Sequence, residues 1–274
     1  LPCASAAAWA LPPSSRSANL TSIGRRETPP PFSVGNERQE VFELPKIITA
    51  KEVAALIPSG SRVMFGGFLG CGSALDVIRA IDESNVENIE GVFDDGSKPN
   101  GPDGSDYYGW ARLIHSGKIK KYIGSHVGSN PEAGEKWAKG ELTVDLLPQG
   151  SMAEMIRAGG MGIPGILTAT GIGTLVEEST WVDRKMTVAG KDYLLMKPIH
   201  ADFAVISGYL VDKKGNIWYK GTTRNFAPLM AMAADTVIVE AEKIVEPGEI
   251  PPENVATPGI LVDYIVLREG TDNG

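Results

Sequence analysis

The segment 62–81 constrains this chain more than any other. A buried-type run, Arg62-Val63-Met64-Phe65, passes into the loop Gly66-Gly67-Phe68-Leu69-Gly70-Cys71-Gly72 and then into the helical stretch ALDVIRAI, opened by Ser73 and Asp76. Glycines let a ligand come close to the backbone, and the first N–H groups of a helix attract negative charge. The pattern therefore points to a phosphate-bearing ligand held by the loop and by the free N–H groups of Ser73 to Asp76. The same spacing also serves a tight strand-to-helix connection that needs glycine only for its dihedral angles. Two nucleotide motifs do not fit. The loop has no lysine for a P-loop, and its glycines at 66, 67, 70 and 72 break the dinucleotide spacing, with Leu75 where a third glycine would stand if Gly70 opened the motif.

The rest of the body repeats this alternation. Thr49 and Glu52 form a capping box ahead of the helix AKEVAALI, ended by Pro58-Ser59-Gly60. Further strand candidates are 89–93, 120–125, 143–147, 202–207, 236–240 and 260–266, with helical stretches between several of them. Apolar on both faces, such strands suit a parallel sheet covered by helices on each side. The expected fold is α/β, an open, mostly parallel, doubly wound sheet. The polar stretch 94–106, DDGSKPNGPDGSD, reads as an exposed loop.

Residues 1–43 differ in kind. Pro12, Pro13, the triplet Pro29 to Pro31, repeated Ser and Ala and no acid before Glu27 describe a segment that buries too little to order itself. It reads as a disordered extension ahead of a domain over 44–268 and a short tail, 269–274. Arg16, Arg25 and Arg26 in a Ser-rich, acid-free stretch also fit a transit peptide to an organelle matrix, and translated upstream sequence would look the same. With 34 acidic against 26 basic residues, no global positive field exists to hold nucleic acid or an anionic membrane. Cys3 and Cys71 cannot build a disulfide framework, and no apolar run reaches the roughly 20 residues of a membrane span. A cytoplasmic protein is expected.

Several residues carry candidate chemistry. Gln149, in Pro148-Gln149-Gly150-Ser151, leaves a strand and enters a helix, which is where open parallel sheets bind ligands; its amide can donate to an oxyanion or satisfy a loop carbonyl. Ser151 and Glu154 read as a second capping box. The glycine-rich 159–165 and 170–174 read as flexible loop. His126 reads as a hydrogen-bonded structural histidine with substrate contact as the alternative, and Cys71 as a packing residue without a nearby base. His115 and His200 lack zinc-site spacing. Glu177, Glu178, Glu240 and Glu242 read as solvated or strand-end charges, Arg157 and Arg224 as surface ion pairs able to assist a polyanion, and Met230 and Met232 as core filling.

GGFLGCG (66–72), GSHVGSNPEAG (124–134), LLPQGSMAEMIRAGGMGIP (146–164), TGIGTLVEE (170–178), YKGTTRNFAPLMAMAADTVIVEAE (219–242) and TPGILVDYIV (257–266) occur in order. Together they resemble the alpha subunit of family I CoA-transferases, within it the acetate, butyrate or acetoacetate branch, over residues 45–267. The resemblance implies a two-step exchange through a glutamate on a partner beta subunit, with coenzyme A as substrate, no permanent cofactor, no metal, and an α2β2 or similar assembly. No catalytic glutamate is expected on this chain, Glu269-Gly270 in the tail being no substitute. Gly66, Gly67, Phe68, Leu69, Gly70, Cys71 and Gly72 would contact CoA, and Asp94 and Gln149 would lie near the acyl group. Three positions depart from the family: Ser59-Gly60 replaces Asp-Gly, Ala74 replaces a proline, and Asp94-Asp95 replaces an Asn-Asp or Asn-Asn pair. A carboxylate at 94 puts acyl selectivity in question, because it repels an oxyanion that an amide would stabilise. A phosphometabolite sensor and a self-sufficient hydrolase or isomerase are the competing classes; no Gly-x-Ser-x-Gly elbow supports the latter.

Overall fold

The computed structural model describes residues 43–102 and 104–269. Residues 1–42 of the expected extension, and 270–274 of the expected tail, lie outside the described residues. In chain order the elements are β1 (Lys46–Ile47), α1 (Ala50–Leu56), β2 (Arg62–Phe65), α2 (Leu75–Glu83), β3 (Ile89–Val92), β4 (Lys98–Pro99), β5 (Tyr107–Tyr108), α3 (Ala111–His115), β6 (Ile119–Gly124), α4 (Pro131–Ala138), β7 (Thr143–Leu146) and α5 (Gln149–Gly160). They continue with β8 (Ile166–Thr168), β9 (Val182–Val188), β10 (Lys191–Met196), β11 (Ala201–Asp212), β12 (Ile217–Trp218), α6 (Ala227–Met232), β13 (Ala234–Val245) and β14 (Tyr264–Leu267).

The main sheet runs β1-β14-β13-β11-β2-β3-β6-β7, every neighbour parallel, with β12 added antiparallel on β11. After β2 the chain builds outward through β3, β6 and β7, then returns to the other side of β2 with β11. That reversal puts the topological switch point at the carboxyl end of β2, where the glycine loop begins and where open parallel sheets bind ligands.

Alternation along the strands separates two cores. Val63 and Phe65 of β2 point to one face with Val77, Ile78 and Ile81 of α2, whereas Met64 points to the other with Met152, Met155 and Ile156 of α5 and Met230 of α6. Under the glycine loop, Phe93 stacks on Phe65 and Tyr122 with ring centroids 5.2 and 5.1 Å apart, and Trp110 tilts against it at 5.6 Å. Trp110 fixes the loop above it: a methyl group on Gly67 would sit 2.7 Å from its ring. The capping box of α1 forms as the sequence indicates, with the Glu52 N–H on Thr49 Oγ1 at 3.2 Å and the Thr49 N–H on Glu52 Oε2 at 2.8 Å.

Four expectations change. The 94–106 segment is not an exposed loop throughout, because Asp94, Asp95 and Ser97 are buried and Lys98–Pro99 within it pairs with Tyr107–Tyr108 just beyond it as the β4–β5 hairpin. Ser151 and Glu154 form no capping box; the N-cap is Pro148, three residues before Ser151, and Glu154 pairs with Arg157 at 2.6 Å. Gly159 and Gly160 are no loop but the last residues of α5, where a methyl on Gly159 would lie 2.0 Å from the Ile199 carbonyl oxygen, so only glycine admits that crossing. The segment 260–266 opens with a 3-10 turn, Gly259–Leu261, and extends only from Tyr264. The hairpin of β9 and β10, with β8, forms a small sheet that the sequence pattern did not reveal.

Candidate functional site

Four segments meet at the carboxyl ends of β2, β3, β6 and β7. They enclose a cavity of about 550 Å³ lined by Phe68, Leu69, Asp95, Ser125, His126, Ser129 and Gln149. The glycine loop forms one wall as a tight hairpin: Phe68 and Cys71 exchange backbone hydrogen bonds of 3.0 and 2.8 Å around Leu69 (φ 49°) and Gly70 (φ 82°). Left-handed backbone at Leu69, which a branched side chain resists, turns an apolar residue outward at the tip beside the exposed Phe68.

The loop's own N–H groups are mostly consumed. That of Gly66 goes to the Val205 carbonyl, that of Gly67 to Asn225 Oδ1 at 3.0 Å and that of Leu69 to Asp95 Oδ2 at 2.6 Å. Gly70 and Gly72 are the loop positions whose N–H has no acceptor among the described residues. Gly72 (φ 82°) presses against the next segment, where a methyl would meet the Thr223 carbonyl oxygen at 2.6 Å.

The N-terminus of α2 corrects the sequence reading most sharply. Ser73 does not cap it; the N-cap is Ala74, and Ser73 Oγ is buried without a partner. The Ser73 N–H bonds the Gly70 carbonyl, and those of Asp76 and Val77 donate to Glu240 Oε2 at 2.8 and 3.0 Å. Glu240 is therefore no solvated or strand-end charge: it is fully buried and pairs with Arg268 Nε at 2.7 Å. A carboxylate of the chain fills the anion position at this helix.

Opposite the loop, Gln149 begins α5, with its side-chain amide donating to Asp94 Oδ1 at 2.8 Å. Ser125 Oγ lies 3.3 Å from the same oxygen. Burial pushes the Asp94 carboxyl above its usual 3.8, against the hydrogen bonds from Gln149 and Ser125. Burial likewise raises Asp95, although the N–H groups of Leu69 and Ser97 hold its oxygens and His126 lowers it. His126 is exposed on the cavity wall, and its ring has no hydrogen-bond partner among the described residues, contrary to the structural role expected. Its backbone carbonyl accepts from Tyr122 Oη at 2.9 Å.

Cys71 is exposed and 3.7 Å from Thr222 Oγ1, on the outside of the hairpin rather than packed. Met230 fills the core as expected, and His115 lies 3.1 Å from Glu132. Sequence reasoning missed Asn225, which bridges Gly67 and the Cys71 carbonyl. Its only local signal is a non-glycine residue forced to positive φ (26°), which is not legible from the sequence.

The arrangement offers an apolar tip, an amide donor aimed by a buried acid, and an imidazole. It suits a carbonyl compound whose oxygen becomes negative during reaction. Residues 47–268 match the family described as Coenzyme A transferase. The chain is 44% identical over 221 residues to the acetoacetyl-CoA:acetate/butyrate CoA transferase alpha subunit of Clostridium acetobutylicum, covering 81% of this chain and 97% of that one. It is 38% identical over 224 residues to the acetate CoA-transferase subunit alpha of Escherichia coli, covering 82% and 97%. Among solved structures, an acyl-CoA transferase of E. coli O157:H7 in a thioester complex with CoA superposes with a TM-score of 0.73 at 22% identity, over 85% of this chain and 48% of that chain. Glutaconate CoA-transferase of Acidaminococcus fermentans superposes with a TM-score of 0.69 at 22% identity, over 81% and 75%. These last two likenesses speak for the fold.

Proposed function

Because this chain belongs to the coenzyme A transferase family, we propose that it is the alpha subunit of a heteromeric enzyme exchanging CoA between a short-chain acyl-CoA and a free short-chain carboxylic acid. Acetyl-, butyryl- and acetoacetyl-CoA are the donors in view, the assembly is α2β2 or similar, and the cytoplasm is its place. Relatives named as alpha subunits, matched over nearly their whole length, support a beta partner. The observation that carries the reading is the make-up of the cavity: among the described residues no glutamate lines it, and the one lining carboxylate, Asp95, is 1% exposed and tied by two backbone N–H groups. A nucleophile must be mobile and reachable, so the attacking glutamate is assigned to the partner.

In this mechanism the partner's carboxylate adds to the thioester carbonyl, and the C–S bond breaks to release CoA thiolate and leave a mixed anhydride. The thiolate then attacks the glutamyl carbonyl of the anhydride, forming the enzyme thioester and freeing the first acid. The acceptor acid reverses both steps. Each addition places negative charge on a carbonyl oxygen, where fixed donors are worth most. Gln149, with the unspent N–H groups of Gly70 and Gly72, serves this chain's side, while Phe68 and Leu69 lie along the pantetheine arm and keep water from the anhydride.

The test is transfer of CoA from butyryl-CoA to acetate. The chain alone is expected to be inactive and the chain mixed with its beta partner active, with a borohydride-trappable or mass-shifted glutamate on the partner. Turnover by the lone chain, or an adduct on one of its own carboxylates, overturns the assignment. Nothing observed favours the sensor reading.

A further inference from the structure

The cavity at the carboxyl ends of β2, β3, β6 and β7 is poor in positive charge. Among the described residues lining it, His126 alone can become a cation, and it shares the wall with Asp95, which Asp94 precedes in the chain. The bases on neighbouring elements are already engaged: Lys121 of β6 lies 3.0 Å from Asp145, Lys136 of α4 3.2 Å from Glu132, and Arg157 of α5 2.6 Å from Glu154. Arg224, expected as a surface ion pair, forms none among the described residues, and it lines a different cavity, with Trp218 and Glu253.

His126 is held in place although its ring bonds nothing among the described residues. Its backbone bridges to Asp95 in parallel register, and its carbonyl accepts from Tyr122 Oη at 2.9 Å. Two residues on, Gly128 makes room for the ring: a methyl group there would lie 2.7 Å from Cε1 and 2.9 Å from Nε2. The imidazole is therefore folded back against Gly128 on the cavity wall and is exposed there. A donor so placed and so unspent suits a ligand that brings its own acceptors.

Resting on the transferase reading above, we infer that His126 binds the carboxylate of the free acid substrate, holding the acceptor as it enters and the released acid before it leaves. At neutral pH that acid is an anion, and an anion brought beside two buried carboxyl groups needs a counter-charge or strong donors. A neutral imidazole offers one N–H, and a protonated one offers two together with a positive charge. Acid–base work is not asked of the ring, because the exchange runs from carboxylate and thioester to carboxylate and thioester and no proton changes hands. Gln149 then serves charge that develops during reaction, and His126 serves charge that the substrate carries in.

The complex with the beta partner is to be assayed with butyryl-CoA and acetate. His126→Gln is expected to raise KM for acetate about tenfold, the scale of one hydrogen bond to a charged group, with kcat and KM for butyryl-CoA little changed. Gly128→Ala keeps the imidazole but pushes it off the wall, and is expected to raise the same KM. In the wild type KM for acetate should climb between about pH 6 and 8, where an imidazole loses its charge, and stay level in His126→Gln. The ionisable groups that face His126 are Asp94 and Asp95 at the end of β3 and Tyr122 of β6, while the glycine loop and α5 present Phe68, Leu69 and Gln149, which do not ionise. The variant retains all of them, so its profile removes their share. An unchanged KM for acetate, a fall in kcat instead, or an equal rise in KM for both substrates overturns the inference. If the wild-type complex transfers no CoA, the functional reading fails separately. Imidazole NMR signals of the full chain titrated with acetate then decide: a shift confined to His126 supports the site, and a His126 signal that moves no more than those of His115 and His200 overturns it.

Discussion

Gln149→Ala is expected to lower kcat of the assembled enzyme by about 10²–10³, the loss measured when one oxyanion donor is removed elsewhere. KM for the acyl-CoA should move little, because the donor acts on charge that exists only in the transition state. The fold should survive: Gln149 is exposed in the first turn of α5, and among the described residues its side chain bonds Asp94 alone. Steady-state kinetics with butyryl-CoA and acetate, alongside a thermal melt, separate the two effects. A fall in kcat below about tenfold, or a rise in KM without a fall in kcat, would remove Gln149 from the chemistry.

Asp94 supplies a control with a definite sign. Its ionised carboxylate fixes the Gln149 amide with the nitrogen toward the acid, yet it sets a negative charge behind a developing oxyanion. Asp94→Asn keeps the shape and removes the charge, so at neutral pH it should raise kcat by roughly three- to tenfold, on the scale of part of one donor's contribution. Burial holds the Asp94 carboxyl above 3.8, so the wild-type residue itself gains a proton as pH falls through that raised value. The variant's advantage should shrink toward none at the acid end and be complete above it. A ratio of rates that stays flat with pH would show that the Asp94 charge does not reach the reacting carbonyl.

What the sequence revealed and what it hid follow one rule. Patterns set by neighbours along the chain were legible: the β2, glycine loop, α2 succession, the Thr49–Glu52 capping box and the two-faced apolar strands β2, β3, β11 and β13 appear as read. So was the placement of Gln149, because strand end and helix start are local signals. Partnerships across more than a hundred residues were not. Ser73 looked like a cap because its competitor, Glu240, lies 164 residues beyond Asp76. His126 looked structural because no local feature tells whether an imidazole faces a cavity. The β9–β10 hairpin escaped because β9 is largely exposed and polar and β10 is apolar only in its second half, too short a pattern to register.

Glu240→Ala is expected to cost about 3–5 kcal/mol of stability, the scale for removing one partner of a buried ion pair. The carboxylate carries three bonds at once, from the Asp76 and Val77 N–H groups and from Arg268 Nε. Arg268 in turn reaches the Ser73 carbonyl at 3.0 Å and Glu242 at 3.3 Å, so the pair joins β13, the C-terminal strand and the entry to α2. Its deletion takes from a largely enclosed guanidinium its buried carboxylate partner and leaves two helix N–H groups without that acceptor. Against a typical total of about 5–15 kcal/mol, that loss shows as a fall in melting temperature of roughly 10 °C or more. Glu240→Gln, which keeps an acceptor for the N–H groups but not the charge, should lose less. Pairing Glu240→Ala with Arg268→Met should recover part of the loss, since the double variant removes the enclosed guanidinium together with its buried partner. Because α2 and the glycine loop share this anchor, the surviving Glu240→Gln enzyme should also bind butyryl-CoA more weakly, with the rise in KM tracking the loosened loop. Chemical denaturation of the wild type, Glu240→Ala, Arg268→Met and the double variant gives the coupling directly. A coupling near zero, or a single-variant loss under about 1 kcal/mol, would mean that packing rather than this ion pair holds the loop in place.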